Sequence, residues 1–292
     1  VRFTLLFILV FLSSCNSGAP TPAADTTPKP TAAQRVELEP FKLPVLSDSP
    51  IVVEAFLGND GWTEPQLASL PEFGKQFNPL RVSEPSRQYS SRQFAVFLPA
   101  KTPEVGDSWP VPKELAVEFL SQFPGTPIAE MNIDGSGAYA TFRAVSNDSM
   151  EIALRVHAQF RFDGEIFLNP AQFAGRLILN RATGDVAHFS LAVPSDHETN
   201  LDFEVLGGSS YTAGVRFIPR MELIGGRTLS DLAIRWSEEI SEEQAKHQMA
   251  ELAYPCNQIA WVPLEKLSET AKRRKTPIFA IVMEGVLNDQ SC

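Results

Sequence analysis

With 292 residues, 43% of them hydrophobic, the chain can bury a sizeable core and has length for about two domains. A formal net charge of −10 argues against a nucleic-acid partner, because neutralising phosphates needs clustered Lys and Arg. The one dense basic run, Lys272-Arg273-Arg274-Lys275, falls where a helix is expected to end and has a simpler explanation there.

The opening VRFTLLFILVFLSSC carries Arg2 ahead of an apolar run from Phe3 to Leu12. About ten helical residues span roughly 15 Å, half the hydrocarbon thickness of a bilayer, so the run reads as a signal-peptide core and not a spanning helix. Small residues before a single cysteine, Leu12-Ser13-Ser14-Cys15, resemble a bacterial lipobox, in which the thiol is lipidated and the signal is removed. An ordinary secretory signal with an incidental cysteine is the blander alternative. On the lipobox reading, residues 1–15 are signal peptide and lipobox, with Cys15 as the lipidation site and the membrane as partner. The protein is then expected in the bacterial cell envelope, lipid-anchored on the periplasmic or other extracytoplasmic side, where two or more acyl chains hold stably. Residues 16–35 are rich in Pro, Thr and Ala without large apolar side chains, and read as a disordered tether.

Residues 36–150 give mixed signals and are expected to form an N-terminal α/β region of uncertain type. PIVVEAFLG reads as a strand, EPQLASLPEFGKQF as a broken helix, and RQFAVFLPA as a second strand closed by Pro99. A helix is expected from near Pro112 to Phe123, with Leu115, Phe119 and Leu120 on one face. NIDGSGAYATFR reads as a glycine turn between strands.

Residues 151–226 are expected to be antiparallel β-rich. Ile152, Leu154, Val156, Ala158, Phe160 and Phe162 alternate with Glu151, Ala153, Arg155, His157, Gln159 and Arg161, which predicts one dry and one mostly wet face. AGRLILNRATGDVAHFSLAVP predicts a hairpin turning at Ala182-Thr183-Gly184-Asp185, with Gly184 supplying positive φ. TNLDFEVLGG and AGVRFIPRMEL extend a twisted sheet that closes toward a barrel or sandwich.

In residues 227–292 the period changes. SEEQAKHQMAELAYP predicts a helix with Ser241 as N-cap, Gln244 completing a capping box and Pro255 ending it. QIAWVP predicts a short strand. LEKLSETAKRRK predicts a second helix whose basic residues complement its negative C-terminal end, which accounts for the basic run. TPIFAIVME then reads as a buried strand. Helix, apolar strand and a loop carrying Cys292 make the opening half of a thioredoxin-like α/β domain, so the fold class expected is α+β: a twisted antiparallel β-rich domain followed by that half. In such a site the next helix points its N-terminus at the sulfur and lowers the thiol pKa. Beside Cys292 stands the α-carboxylate instead, which disfavours the thiolate, so the sequence as it stands predicts a poor thiol catalyst.

GVLNDQSC resembles the active-site segment of the selenoprotein N family, where the Ser-Cys pair precedes selenocysteine and Gly. NPAQFAGRLIL, VPSDHETNLDFEV, FIPRMEL and AYPCNQIAWVPLEKLSETAK are similar to that family's segments in the same order, so the resemblance runs from about Glu151 to Cys292. It implies a thiol-disulfide oxidoreductase with Cys292 as the redox partner of a selenocysteine expected just beyond the chain end, the reading frame having been closed at its UGA codon. No other cofactor is implied. The substrate would be a disulfide-containing protein or a small thiol. In the sequence itself, Glu284 and Asp289 flank the terminal loop, either as proton acceptors of a complete site or as loop solvation. The resemblance also invites an EF-hand reading of Asn132, Asp134, Ser136 and Gly137, but the twelfth position is Arg143, where calcium needs a carboxylate.

Cys256 reads as a buried structural thiol, with a disulfide to Cys292 as the alternative. His157, His188, His197 and His247 lack metal-ligand spacing, so no metal site is expected, and His157 is placed on a solvated strand face. Ser195-Asp196-His197 cannot form a triad from adjacent positions on one loop. The competing function is a non-enzymatic binding or scaffolding lipoprotein built on the antiparallel sheet.

Overall fold

A computed structural model describes residues 41–58, 69–77, 80–128, 137–162, 166–196, 199–207, 210–254 and 262–278. Two antiparallel sheets share one hydrophobic core, and the helices are few and short. The larger sheet contains β1 (Pro50–Gly58), β2 (Ser86–Ser90), β3 (Ser108–Val111), β5 (Gly137–Val145), β6 (Ser149–His157), β9 (Phe173–Asn180), β10 (Val186–Ala192), β13 (Arg220–Gly226) and the short β14 (Glu238–Glu239). Its order is β14-β5-β6-β9-β10-β13-β1-β2, with β3 also pairing with β5. The smaller sheet has β4 (Thr126–Ile128), β7 (Gln159–Phe162), β8 (Ile166–Pro170), β11 (Leu201–Gly207) and β12 (Ser210–Arg216), in the order β12-β11-β8-β7-β4.

Strands expected to stand apart in an N-terminal region therefore share a sheet with those after residue 151: β1 pairs with β13 and β5 with β6. The long alternating run is also not one strand. β6 ends at His157, and β7 begins at Gln159 in the other sheet, so the chain turns a corner at Ala158. Alternation survives the corner, with Ile152, Leu154, Val156 and Phe160 all buried, because both sheets face the same core.

That core is built from phenylalanine. Phe94, Phe97, Phe119 and Phe189 lie with ring centroids 4.9–6.5 Å apart. A second group, Phe123, Phe160 and Phe173 at 5.9–6.5 Å, joins the two sheets, since Phe160 comes from β7 and Phe173 from β9. Tilted and edge-on rings at these distances add to the large area each phenylalanine buries. RQFAVFLPA corrects an expectation: it is not a strand, and Ser91–Phe97 is a 3-10 helix. Ser90 and Gln93 form a capping box, and the three-residue period stacks Phe94 above Phe97, both buried, where a strand would split them between faces.

The helix after Pro112 is likewise shorter than expected. Helix α2 covers Lys113–Glu118 and passes into a 3-10 turn at Phe119–Gln122, so the anticipated face shifts. Leu115 is 52% exposed, while Ala116, Val117, Phe119 and Leu120 are buried. Helix α1 occupies Pro71–Phe77, and Phe77 is buried against Phe203 at 6.2 Å. The C-terminal helices lie where the sequence places them, α4 at Glu242–Ala253 behind a Ser241–Gln244 capping box and α5 at Leu264–Arg274 with Lys272, Arg273 and Arg274 in its last turn. The four-residue α3 (Leu229–Leu232) precedes them. The strands expected at QIAWVP and TPIFAIVME lie mostly outside the described residues.

The β9–β10 hairpin turns as the sequence predicts. Asn180 accepts from the backbone N–H of Ala182 and Thr183, both at 2.9 Å, and Gly184 has φ +72°. The segment before β1 crosses this turn: the Ser47 N–H donates to the Gly184 carbonyl at 3.1 Å, and the Ser47 hydroxyl donates to Asp185. A Cβ on Gly184 would sit 2.0 Å from the Val45 carbonyl oxygen. Gly184→Val is therefore expected to cost at least about 2 kcal/mol through strained φ and a backbone clash, read as a lower urea midpoint with unchanged m-value.

Candidate functional site

Cys292, Glu284, Asp289, Cys15 and Cys256 all lie outside the described residues, as do Asn132, Asp134 and Ser136. Of the calcium-loop positions considered, Gly137 opens β5 with φ +104°, and Arg143 sits within that strand. Among the described residues, no group of three or more His, Cys, Asp or Glu is placed to hold a metal ion.

What the structure does bring together is a charged layer between the larger sheet and α4. The face of β6 expected to be wet carries Glu151, Arg155 and His157, yet Glu151 is 2% and His157 2% exposed. The expectation fails because α4 lies across this face. Its buried stripe, Ala245, Met249 and Ala253, recurs every four residues and needs a surface to pack on. Thr141 from β5 reaches the Ala245 carbonyl at 3.5 Å. That stripe was the signal available in the sequence.

Glu151 is the centre of the layer. Arg143 donates to its two oxygens from Nε and Nη2, both at 2.6 Å, in a fork-to-fork pair, and also from Nη1 to Glu239 at 3.0 Å and the Ile240 carbonyl at 3.2 Å. A bulge places Arg143 there: the β5–β6 register shifts between Phe142 and Ala144, leaving Arg143 as the extra residue. Arg176 from β9 lies 3.5 Å from Glu151 and 2.7 Å from Glu242 in the first turn of α4. Burial works against the Arg143 charge, but the Glu151 and then Glu239 carboxylates outweigh it and hold its pKa above the ordinary value. The hydrogen bond from Arg176 holds the Glu242 carboxyl below its usual range.

Further along the same face, the Arg155 guanidinium lies 5.7 Å from the Tyr139 ring centre and 5.0 Å from that of Tyr254, just past the end of α4. Gln172 donates to the Tyr254 hydroxyl. A cavity of about 370 Å³ opens here, with Arg155, Gln172 and Tyr254 in its wall. His157, at the end of β6, is neutral in this setting: burial first, then the Arg155 charge, push its pKa down to about 4. Burial also lowers His188, whose Nδ1 lies 2.8 Å from the Arg227 carbonyl.

No family model matches the chain, and no solved structure matches it. It is similar to selenoprotein N of Danio rerio, at 28% identity over 71% of this chain and 48% of that protein. Selenoprotein N of Homo sapiens is 27% identical over 72% of this chain and 45% of its own length, and that of Mus musculus 26% identical over 72% and 48%. The chain thus spans about half the length of these curated relatives. The likeness covers more of the chain than the stretch from Glu151 onward, so it reaches into the earlier strands. Among the described residues, no helix is long and apolar enough to cross a membrane.

Removing one member of a buried pair leaves its partner charged in a dry site, whereas replacing both with apolar groups does not. Glu151→Ala is expected to lose about 3–5 kcal/mol in urea unfolding, and the Arg143→Met/Glu151→Leu double variant clearly less. The histidines set a pH dependence. The unfolded imidazole titrates near 6.5 and the folded His157 near 4, so its contribution is complete above 6.5 and is lost as pH falls toward 4. This amounts to about 3 kcal/mol at most. His188 adds the same sign. His157→Gln should flatten the fall in stability between those pH values when unfolding is followed by circular dichroism.

Proposed function

We propose that the chain works as a membrane-tethered thiol-disulfide oxidoreductase of selenoprotein N type, with Cys292 as one half of a vicinal redox pair whose other half is a selenocysteine encoded immediately after it. The observation that carries this reading is the similarity to selenoprotein N over 71–72% of the chain, joined to the GVLNDQSC segment. Helix α5 and the apolar run after it supply the start of a thioredoxin-like arrangement, in which a strand delivers the sulfur to a helix N-terminus that stabilises its thiolate. Lipidation at Cys15 would hold the chain at the envelope membrane, with residues 16–35 as the spacer.

The selenocysteine would supply the stronger nucleophile for attack on a disulfide. Cys292 supplies the second reducing equivalent: its thiol loses a proton, and its sulfur bonds to the neighbouring selenium as the substrate leaves as two thiols. The pair gives up two electrons and the substrate disulfide gains them. An external thiol reductant then restores the pair. Glu284 and Asp289 are placed in sequence to accept the thiol proton. The substrate class is a protein disulfide or a small disulfide.

The test uses the gene read through the codon after Cys292 with selenocysteine inserted. Disulfide reduction by this product is expected to fall about tenfold or more in Cys292→Ser. An unchanged rate would remove Cys292 from the chemistry, and a UAA or UAG codon at that position would end the proposal.

A further inference from the structure

Helix α5 has eleven residues and none of them is buried. Leu267, Thr270 and Ala271, on one side, are half-buried; the rest of the helix and residues 276–278 after it are exposed. Two of the exposed residues are large and apolar, Leu264 at 81% and Ile278 at 51%. At 3.6 residues per turn, Leu264, Ser268, Lys272 and Lys275 fall on one exposed face, which contains no carboxylate.

The charge of this segment is opposite to that of the chain. Five basic and two acidic residues lie between Leu264 and Lys275, in a protein of net charge −10. Among the described residues, no ion pair holds Lys266, Lys272, Arg273, Arg274 or Lys275. Lys246 of α4, by contrast, is paired with Glu243 at 3.0 Å. The negative end of α5 favours cations in its last turn, but Lys266 lies in the first turn, where the dipole disfavours one. Four consecutive like charges also repel one another, and an anionic surface laid against them relieves that repulsion. The exposed Leu264 and Ile278 select the kind of surface. A bilayer offers anionic headgroups over hydrocarbon and meets both kinds of residue; a nucleic acid meets only the charge. The remainder of the chain, acidic in sum, is repelled by the same headgroups, which confines the contact to α5.

We infer that α5 docks in the plane of an anionic lipid surface, with Leu264 and Ile278 among the headgroups and Lys272 and Lys275 against lipid phosphates. An anchor at Cys15 would hold the chain near a membrane; α5 sets which side of the protein faces it, and does so without acylation or thiol chemistry. The test uses the full chain as Cys15→Ser, which takes no lipid, with vesicles of phosphatidylcholine alone or mixed with phosphatidylglycerol. Because the apolar run of residues 3–12 also partitions into bilayers, the deciding readout is local. Trypsin cleavage after Lys275, followed by mass spectrometry, is expected to slow about tenfold on the mixed vesicles only, with cleavage after the exposed Lys101 unchanged. High salt should remove the protection. Leu264→Asp puts an acid in the first helical turn, where the dipole favours it, so helix content should hold while protection weakens about tenfold. Lys272→Glu/Arg273→Glu should abolish protection; if that variant does not fold, Leu264→Asp decides alone. Equal cleavage after Lys275 with and without phosphatidylglycerol would overturn the assignment. So would unchanged protection in folded Leu264→Asp, or equal protection by short single-stranded DNA, which has phosphates without hydrocarbon.

Discussion

The Glu151 carboxylate lies at the point where two incompatible demands on one strand meet. β6 is an interior strand of a nine-stranded sheet and buried on both faces, yet one face carries Glu151, Arg155 and His157. A carboxylate in such a place is tolerated only if its lone pairs are met by charged donors of good geometry. Two arginines meet them, one placed by a bulge in β5 and one at an ordinary position on β9. Both reach onward to acidic groups of the C-terminal segment, Arg143 to Glu239 in β14 and Arg176 to Glu242 in α4. The ion pairs are thus the means by which the C-terminal segment is registered on the sheet, and the capping box at Ser241 starts α4 at the point those pairs require.

On the opposite face the constraint is volume. Phenylalanines from both sheets and from the 3-10 segments fill the core, and the turn at Ala158 lets one alternating sequence feed both sheets without exposing either. Two polar side chains buried among the described residues are bonded at several atoms. Gln122, completely buried, donates to the carbonyls of Val53 and Glu84, both at 3.1 Å, and accepts from Tyr89 at 3.2 Å. Asn200 does the same for the β12–β13 connection through Pro194 and both backbone groups of Ile218.

The sequence made some of this plain and hid the rest for physical reasons. Hairpin and helix termini depend on local chemistry, so Gly184, the Ser241 capping box and the basic end of α5 were legible from a few neighbours. The antiparallel β-rich character was legible from alternation. Alternation, however, reports polarity and not exposure: Glu151 and His157 look solvated to any local reading, and only a helix nearly a hundred residues later reveals that they are covered. RQFAVFLPA failed for a related reason, because a three-residue period over seven residues is easily taken for a strand. Arg143 was weighed only as a residue hostile to calcium; its actual partner sits across a bulge that no spacing rule exposes. The selenoprotein N resemblance at the chain's end is carried by the GVLNDQSC motif and not by periodicity.

The same layer explains why a cavity persists in so densely packed a molecule. Helix α4 is held at its start by the Arg176–Glu242 pair and at its end by Tyr254 against Arg155. Hydrogen-bond lengths and the reach of arginine side chains fix the height of the helix at both points. Between them the facing side chains are small: Ala153 and Ala174 on the sheet, Ala250 on the helix. A helix resting on apolar contacts alone would settle until such a space closed, because voids forfeit contacts along their lining. Here the charged anchors resist that settling, so the buried ion pairs that register α4 also hold open the space beside it.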